Sequence, residues 1–236
     1  MTFSGKTDTT PVDPTATQTL TATVHTALFA ALIAVGAYIV VPLPFSPVPL
    51  VLQNMLVLLA GVLLGPRRGV LAVLLYLGLG TVGLPVFAGG AAGPATFLGP
   101  TAGYLVSYLP AAALSGALTR GFPSRARVLA AAGGGAALIL AGGTAGLVFV
   151  AGLGPLEAVM VGAAPFLPGD ALKVVAIAAV YRRVAPLFGA LQISEAGADE
   201  DLREAPRRDA PNTGAANTGA ANTGAANTGG GRQNNP

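Results

Sequence analysis

An all-α integral membrane protein, built as a six-transmembrane-helix bundle, is the fold this sequence predicts, and three observations predict it. Of 236 residues, 53% are hydrophobic and only 10% charged, with a mean hydropathy of +0.66, whereas soluble domains carry about 25% charged residues. Apolar runs recur between short Gly, Pro and Arg interruptions, at lengths near the roughly 20 residues that cross a bilayer. The 13 basic and 10 acidic side chains lie in short loops and tails, apart from Glu157, Asp170 and Lys173.

The first helix is placed near 25–42, after a polar segment, 1–24, that lacks a basic start followed by an apolar stretch and so does not read as a cleaved signal peptide. Helices two and three, near 49–64 and 69–85, flank Gly65-Pro66-Arg67-Arg68-Gly69. Both are short, so a re-entrant hairpin at that break is the alternative reading. Helices four, five and six are placed near 101–119, 127–151 and 167–182. Residues 155–164 read as a short interfacial helix with Glu157 in its first turn, where the helix dipole favours a carboxylate. After Phe188 the chain turns polar, and from Asn212 it repeats Asn-Thr-Gly-Ala-Ala. Such a tract cannot bury a core, so 184–236 is expected to be a disordered tail beside the membrane domain at 25–183.

Six helices put both termini on one side, and the loop charges choose which. Arg67, Arg68, Arg120, Arg125, Arg127, Arg182 and Arg183 all fall at one end, while the opposite loops, 43–48, 86–100 and 152–166, hold no Lys or Arg. By the positive-inside rule the arginine end and both termini face the cytoplasm of a multi-pass plasma-membrane protein, in contact with membrane lipid. The three outer loops are rich in Pro, Gly and apolar residues. Solvated linkers would be polar, so these loops are expected to cover an apolar ligand cavity, the alternative being loops that lie in the lipid interface.

Several function classes find no support. The chain has no cysteine and a single histidine, His25, so no metal site is expected, and no motif calls for a cofactor. Gly5-Lys6-Thr7 resembles the end of a phosphate-binding loop, but that motif needs a glycine five residues earlier and a preceding strand, and the sequence offers neither. The net charge of +3 is small and its arginines flank membrane segments, so no nucleic-acid partner is expected.

Asp170 and Lys173 stand out. Charges inside a membrane segment are costly enough to count as a functional hypothesis, and on a helix i and i+3 share a face. The two can therefore serve one pocket as a carboxylate acceptor beside an ammonium donor. The structural alternative is that Asp170, following Pro168-Gly169, caps the last helix and Lys173 neutralises it. An intramembrane enzyme on a lipid-like substrate would use Asp170 as a base, but lacks the further polar groups such a site needs. A pore-forming bundle would spread polar residues along a path. On helix one, Ala27 and Ala31, and Ala30 and Ala34, repeat at the four-residue spacing that permits close helix approach.

Residues 25–183 resemble the BioY family, the membrane-embedded biotin-binding subunits (S components) of energy-coupling factor transporters. The resemblance rests on Pro47-Val48-Pro49 with Leu52-Gln53, on Gly83-Leu84-Pro85-Val86-Phe87-Ala88-Gly89-Gly90, on Gly99-Pro100-Thr101-Ala102-Gly103-Tyr104, and on Pro165-Phe166-Leu167-Pro168-Gly169-Asp170-Ala171-Leu172-Lys173. One departure is Val51, where the family commonly has threonine. The resemblance implies six helices and an outward-facing site, with no enzymatic chemistry. Asp170 would accept a ureido N–H of biotin, and Lys173 would donate to the ureido carbonyl or the ligand carboxylate. Tyr104 and the loop carrying Phe87, Gly89 and Gly90 would wall and cover the pocket, with Gln53 as a further hydrogen-bond partner. It also implies that the alanines of helix one dock a transmembrane coupling subunit driven by two cytoplasmic ATPases, and that the chain tips in the membrane to release biotin inside.

Overall fold

The computed structural model describes residues 14–121 and 123–208, with side chains described from Thr19 to Pro186 and at Phe188. The chain runs as α1 (Pro14–Gly36), β1 (Val40–Val41), β2 (Leu50–Val51), α2 (Gln53–Thr81), two 3₁₀ turns (Ala88–Gly90 and Pro94–Leu98), α3 (Ala102–Leu118), α4 (Arg125–Phe149), α5 (Pro155–Gly162) and α6 (Leu167–Arg208). β1 and β2 pair antiparallel, Val40 with Val51 and Val41 with Leu50, and close the loop between α1 and α2 into a hairpin.

α2 is folded in two. Gly65, at φ 85° and ψ 176°, leaves helical geometry, and Pro66 then restarts the helix with its preset φ. Gln53 Nε2 donates to Tyr76 Oη at 2.7 Å, although 23 residues of straight helix would part them by about 34 Å. A Cβ on Gly69 would stand 2.8 Å from Gly61 Cα, so the two arms touch at backbone level. The break read at Gly65-Pro66 is therefore a helical hairpin with Arg67 and Arg68 just past its bend.

Glycine sets the other crossings as well. A Cβ on Gly103 of α3 would lie 2.2 Å from Gly142 O and 2.8 Å from Gly146 Cα of α4, and one on Gly116 would lie 2.5 Å from Pro66 N at the hairpin bend. Close approach through small residues replaces the hydrophobic drive that lipid removes. The buried core lies between the α2 arms, α3 and α4, with Val57, Leu63, Leu64, Val73, Ala111, Ala112, Ile139 and Leu147 all at 1% exposure or less. Hydroxyls are satisfied locally: Ser107 donates to Gly103 O, Ser115 to Ala111 O and Thr119 to Ser115 O, as hydrocarbon surroundings require.

Large apolar side chains also cover the outside, among them Leu20, Val24, Leu71, Leu74, Leu172 and Val175. That is the surface of a membrane protein. Among the described residues, Thr19–Gly36, Gln53–Thr81 and Arg125–Phe149 are long and apolar enough to cross a membrane, and α5 with Leu167–Pro186, bent by 51°, makes a fourth candidate. α3 is an apolar helix of 17 residues.

Helix ends differ from the sequence reading, most at the start of α1 and the end of α6. α1 begins at Pro14, inside the segment read as a polar tail, and α6 continues to Arg208, past the boundary set at 183. The α6 extension is rich in helix-forming Ala, Leu, Glu and Arg, whose propensity carries no hydropathy signal; the α1 extension is threonine-rich, and its composition does not explain the earlier start. Phe188 on the α6 extension is buried and packs edge-on against His25 of α1, ring centres 4.7 Å apart. The Asn-Thr-Gly-Ala-Ala repeat lies outside the described residues.

The glycine crossings can be checked by contrast. Gly103→Val is expected to cost at least the roughly 1–3 kcal/mol typical of overpacking, read as a lowered unfolding temperature in detergent. Gly78→Ala, where a Cβ meets nothing within 4 Å, is expected to leave that temperature unchanged or raise it.

Candidate functional site

A cavity opens at the end of the bundle that carries the strand pair and the 3₁₀ turns. Val48, Pro49 and Val51 wall it from the first loop, and Phe87, Ala88, Ala91 and Thr96 from the second. Gln53 and Asn54 at the start of α2, Thr101, Tyr104, Leu105 and Tyr108 at the start of α3, and Phe166 before α6 complete it. Its non-atom space is about 590 Å³, open mouth included. The lining is mostly apolar with a few amides and hydroxyls, a composition suited to a small amphipathic ligand.

The polar lining is held by long-range hydrogen bonds. Tyr108 Oη donates to Asn54 Oδ1 at 2.7 Å, Gln53 Nε2 donates to Tyr76 Oη at 2.7 Å, and Tyr104 Oη donates to Gly162 O at 2.5 Å. Gln53 is 1% exposed and Asn54 8%. Each bond removes a desolvation cost of about 1–3 kcal/mol that an orphaned buried polar group would impose. Phe87 is buried edge-on between Tyr76 and Phe97, with ring centres 5.6 and 5.9 Å away, and the tip of its ring meets Gly80, where a Cβ would stand 2.2 Å from Cζ.

The covering loop is tied to α1. Gly89 N donates to Ala37 O at 3.2 Å, and Tyr38 Oη donates to Pro85 O. Gly89 and Gly90 have φ of +68° and +84°, values that favour glycine. They do not line the cavity; they make the turn that lets Ala88 and Ala91, on either side, face it.

Asp170 and Lys173 are 5% and 8% exposed, and Lys173 Nζ donates to Asp170 Oδ1 at 2.9 Å. α6 starts at Leu167, so Asp170 sits inside its first turn and not at the cap position, with its carboxylate neutralised by Lys173. The pair shares the inward stripe of α6 with Ile177 and Tyr181. It is not on the cavity wall. It lies one turn beyond Phe166, whose carbonyl accepts from Asp170 N at 2.8 Å, and its carboxylate is within electrostatic reach of Tyr104 and Tyr108. Among the described residues, Asp170 Oδ2 and two ammonium protons of Lys173 are left to bind something else.

The structure thus brings Gln53, Phe87 and Tyr104 to one cavity and sets Asp170 and Lys173 behind its wall. Asn54, Tyr76 and Tyr108 were missed by sequence reasoning; the consecutive amides Gln53-Asn54 at the head of an apolar run, and tyrosines at 104 and 108 on one helical face, were the available signals. The two alanine pairs part company. Ala27 and Ala31 are exposed, while Ala30 is 2% exposed and Ala34 is half-buried, both turned into the bundle. The helix rotation therefore corrects the expectation that all four dock a partner, because a residue packed inside its own bundle has no face to offer.

The BioY family model matches residues 8–190. The chain belongs to the BioY family. A biotin transporter BioY of Rhizobium etli is 43% identical over 171 residues, covering 68% of this chain and 91% of the relative. One of Rhodobacter capsulatus is 46% identical over 172 residues, covering 67% and 90%. The crystal structure at 2.1 Å of the S-component for biotin from an ECF-type ABC transporter superposes with a TM-score of 0.67 at 30% identity, over 71% of this chain and 92% of that one. In this BioY-family chain the segments quoted for the resemblance supply most of the cavity wall.

A mutant cycle tests the ion pair. Lys173→Met leaves a buried carboxylate uncompensated and is expected to cost about 3–5 kcal/mol of stability in denaturation from mixed micelles. The double variant Asp170→Asn with Lys173→Met is expected to cost less than Lys173→Met alone.

Proposed function

We propose that this chain is the substrate-binding membrane subunit of a biotin uptake transporter, which captures biotin at the outer face for ATP-driven import by a separate energy-coupling module. The observation that carries the reading is a mostly apolar cavity with a buried, half-satisfied Asp170–Lys173 pair behind its wall, in a chain whose relatives are named biotin transporters. Family membership supports a transporter component rather than an enzyme.

Biotin fits this chemistry. Asp170 Oδ2 accepts a ureido N–H, Lys173 donates to the ureido carbonyl or the carboxylate, and Tyr104 and Phe87 wall the apolar remainder. Gln53 and Asn54 offer further amides in the cavity wall, and the turn at Gly89 and Gly90 holds the cover. Asp170 follows Phe166 by one turn, so the ligand's polar head would approach the pair beside that ring. Binding is noncovalent throughout.

The folded α2 supports six crossings: α1, the two arms of α2, α3, α4, and α5 with α6. Arg67 and Arg68 near the hairpin bend, with the arginines at 120–127 and 182–183, support cytoplasmic termini and a cavity that opens outward. The exposed Ala27 and Ala31 face supports docking of a transmembrane coupling subunit driven by two cytoplasmic ATPases, through which the chain tips to release its ligand.

Titration calorimetry on the purified chain is expected to give one-to-one biotin binding, weakened at least about tenfold by Asp170→Asn or Lys173→Met, since a bond to a charged group is worth roughly 1.5–3 kcal/mol. Unchanged affinity in folded variants would sink these roles. The absence of cysteine allows a clean topology test. Phe45→Cys is expected to react with a membrane-impermeant maleimide on intact cells, and Ala126→Cys only after permeabilisation; the reverse pattern would invert the orientation.

A further inference from the structure

We infer that a groove between α4 and α6, on the outside of the bundle at its arginine end, binds one anionic phospholipid. The groove is lined by Arg125 and Leu129 of α4 and by Val175, Ala178, Ala179 and Arg182 of α6. It is separate from the ligand cavity and from the exposed face of α1, and its non-atom space is about 550 Å³ with the open side included.

The layout follows from the two helices. α4 leaves Arg125 at its first turn, while α6 arrives at Arg182 from the other direction, so both arginines stand at one end of the groove. Leu129 lies about 6 Å along α4 from Arg125, and Val175 about 10 Å along α6 from Arg182, at 1.5 Å of rise per residue. Ala178 and Ala179, with no side chain beyond Cβ, leave the floor open between them. Two cations at one end and an apolar trough below repeat the order of a phospholipid, phosphate first and acyl chain next.

Charge selects the kind of lipid. Among the described residues no acidic side chain lines the groove, and both arginines are exposed. A zwitterionic headgroup brings its own cation beside the phosphate and is repelled as well as attracted. An anionic glycerophospholipid such as phosphatidylglycerol meets both arginines uncompensated, and basic pockets between membrane helices recognise such headgroups. Arginine's planar fork suits a phosphate diester. A free phosphate would use the arginines and leave the trough empty, so the apolar half of the groove favours the lipid.

Native mass spectrometry of the full chain, released from nanodiscs of equal parts phosphatidylglycerol and phosphatidylcholine, tests this. The wild-type chain is expected to retain one phosphatidylglycerol in preference to phosphatidylcholine. The double variant Arg125→Gln with Arg182→Gln is expected to lower that preference about 30-fold. Ala179→Phe, which fills the trough and keeps both charges, is expected to lower it as well. Far-UV circular dichroism and thermal unfolding report whether the variants are folded, without reference to biotin. Equal retention of the two lipids by the wild-type chain, a test that involves no variant, would overturn the inference. Undiminished preference in the folded double variant, or in folded Ala179→Phe, would overturn it too.

Discussion

Gly103 of α3 lies so close to α4 that a Cβ there would stand 2.2 Å from Gly142 O and 2.8 Å from Gly146 Cα. Much of the site depends on that contact. With the two backbones touching, the next residue, Tyr104, lays its ring over Gly143 and extends its hydroxyl to Gly162 O. The same anchoring fixes α5 against α3 and α4 and delivers the turn before α6, so that Phe166 closes the cavity and Asp170 follows one turn later. In lipid no hydrophobic drive between helices can compensate for a bad fit, which is why one added methyl group here would reach from a helix crossing to the ligand site.

The second constraint is that membrane-embedded polar groups must find partners inside the protein. Gln53 with Tyr76 and Asn54 with Tyr108 meet it by pairing across helices, which also staples the α2 hairpin and joins it to α3. Asp170 and Lys173 meet it only in part. A fully satisfied buried pair would have nothing to offer a ligand, and an unpaired charge would be too costly to hold; one bond between them leaves acceptor and donor capacity together. That balance suits a ligand with both a donor and an acceptor edge.

How much of this was legible depended on whether the signal was local. Gly65-Pro66-Arg67-Arg68 marked the break in α2 because glycine, proline and charge coincide there, and the apolar loops around Pro47 and Phe87 marked a cavity wall because solvated loops are not apolar. Asp170 and Lys173 were visible as the pair of charges in an apolar stretch. The tyrosine and amide network was not, since its bonds join residues 23 and 54 apart in sequence. Nor could spacing separate Ala27 and Ala31 from Ala30 and Ala34, because both pairs repeat every four residues and only packing fixes the rotation of α1. The ends of α1 and α6 were misplaced because hydropathy marks where a helix is apolar, not where it stops.

The central claim is that biotin lies in the loop-end cavity with its ureido ring against Asp170 and Lys173. The most direct measurement is an experimental structure of the chain with biotin bound. The account predicts ligand density between Phe87, Gln53 and Tyr104, with the ureido ring within hydrogen-bond distance of Asp170 and Lys173 and with Phe166 displaced from its present place to admit it. Density at any other site, or biotin in the cavity while the ion pair stays sealed behind Phe166, would contradict it.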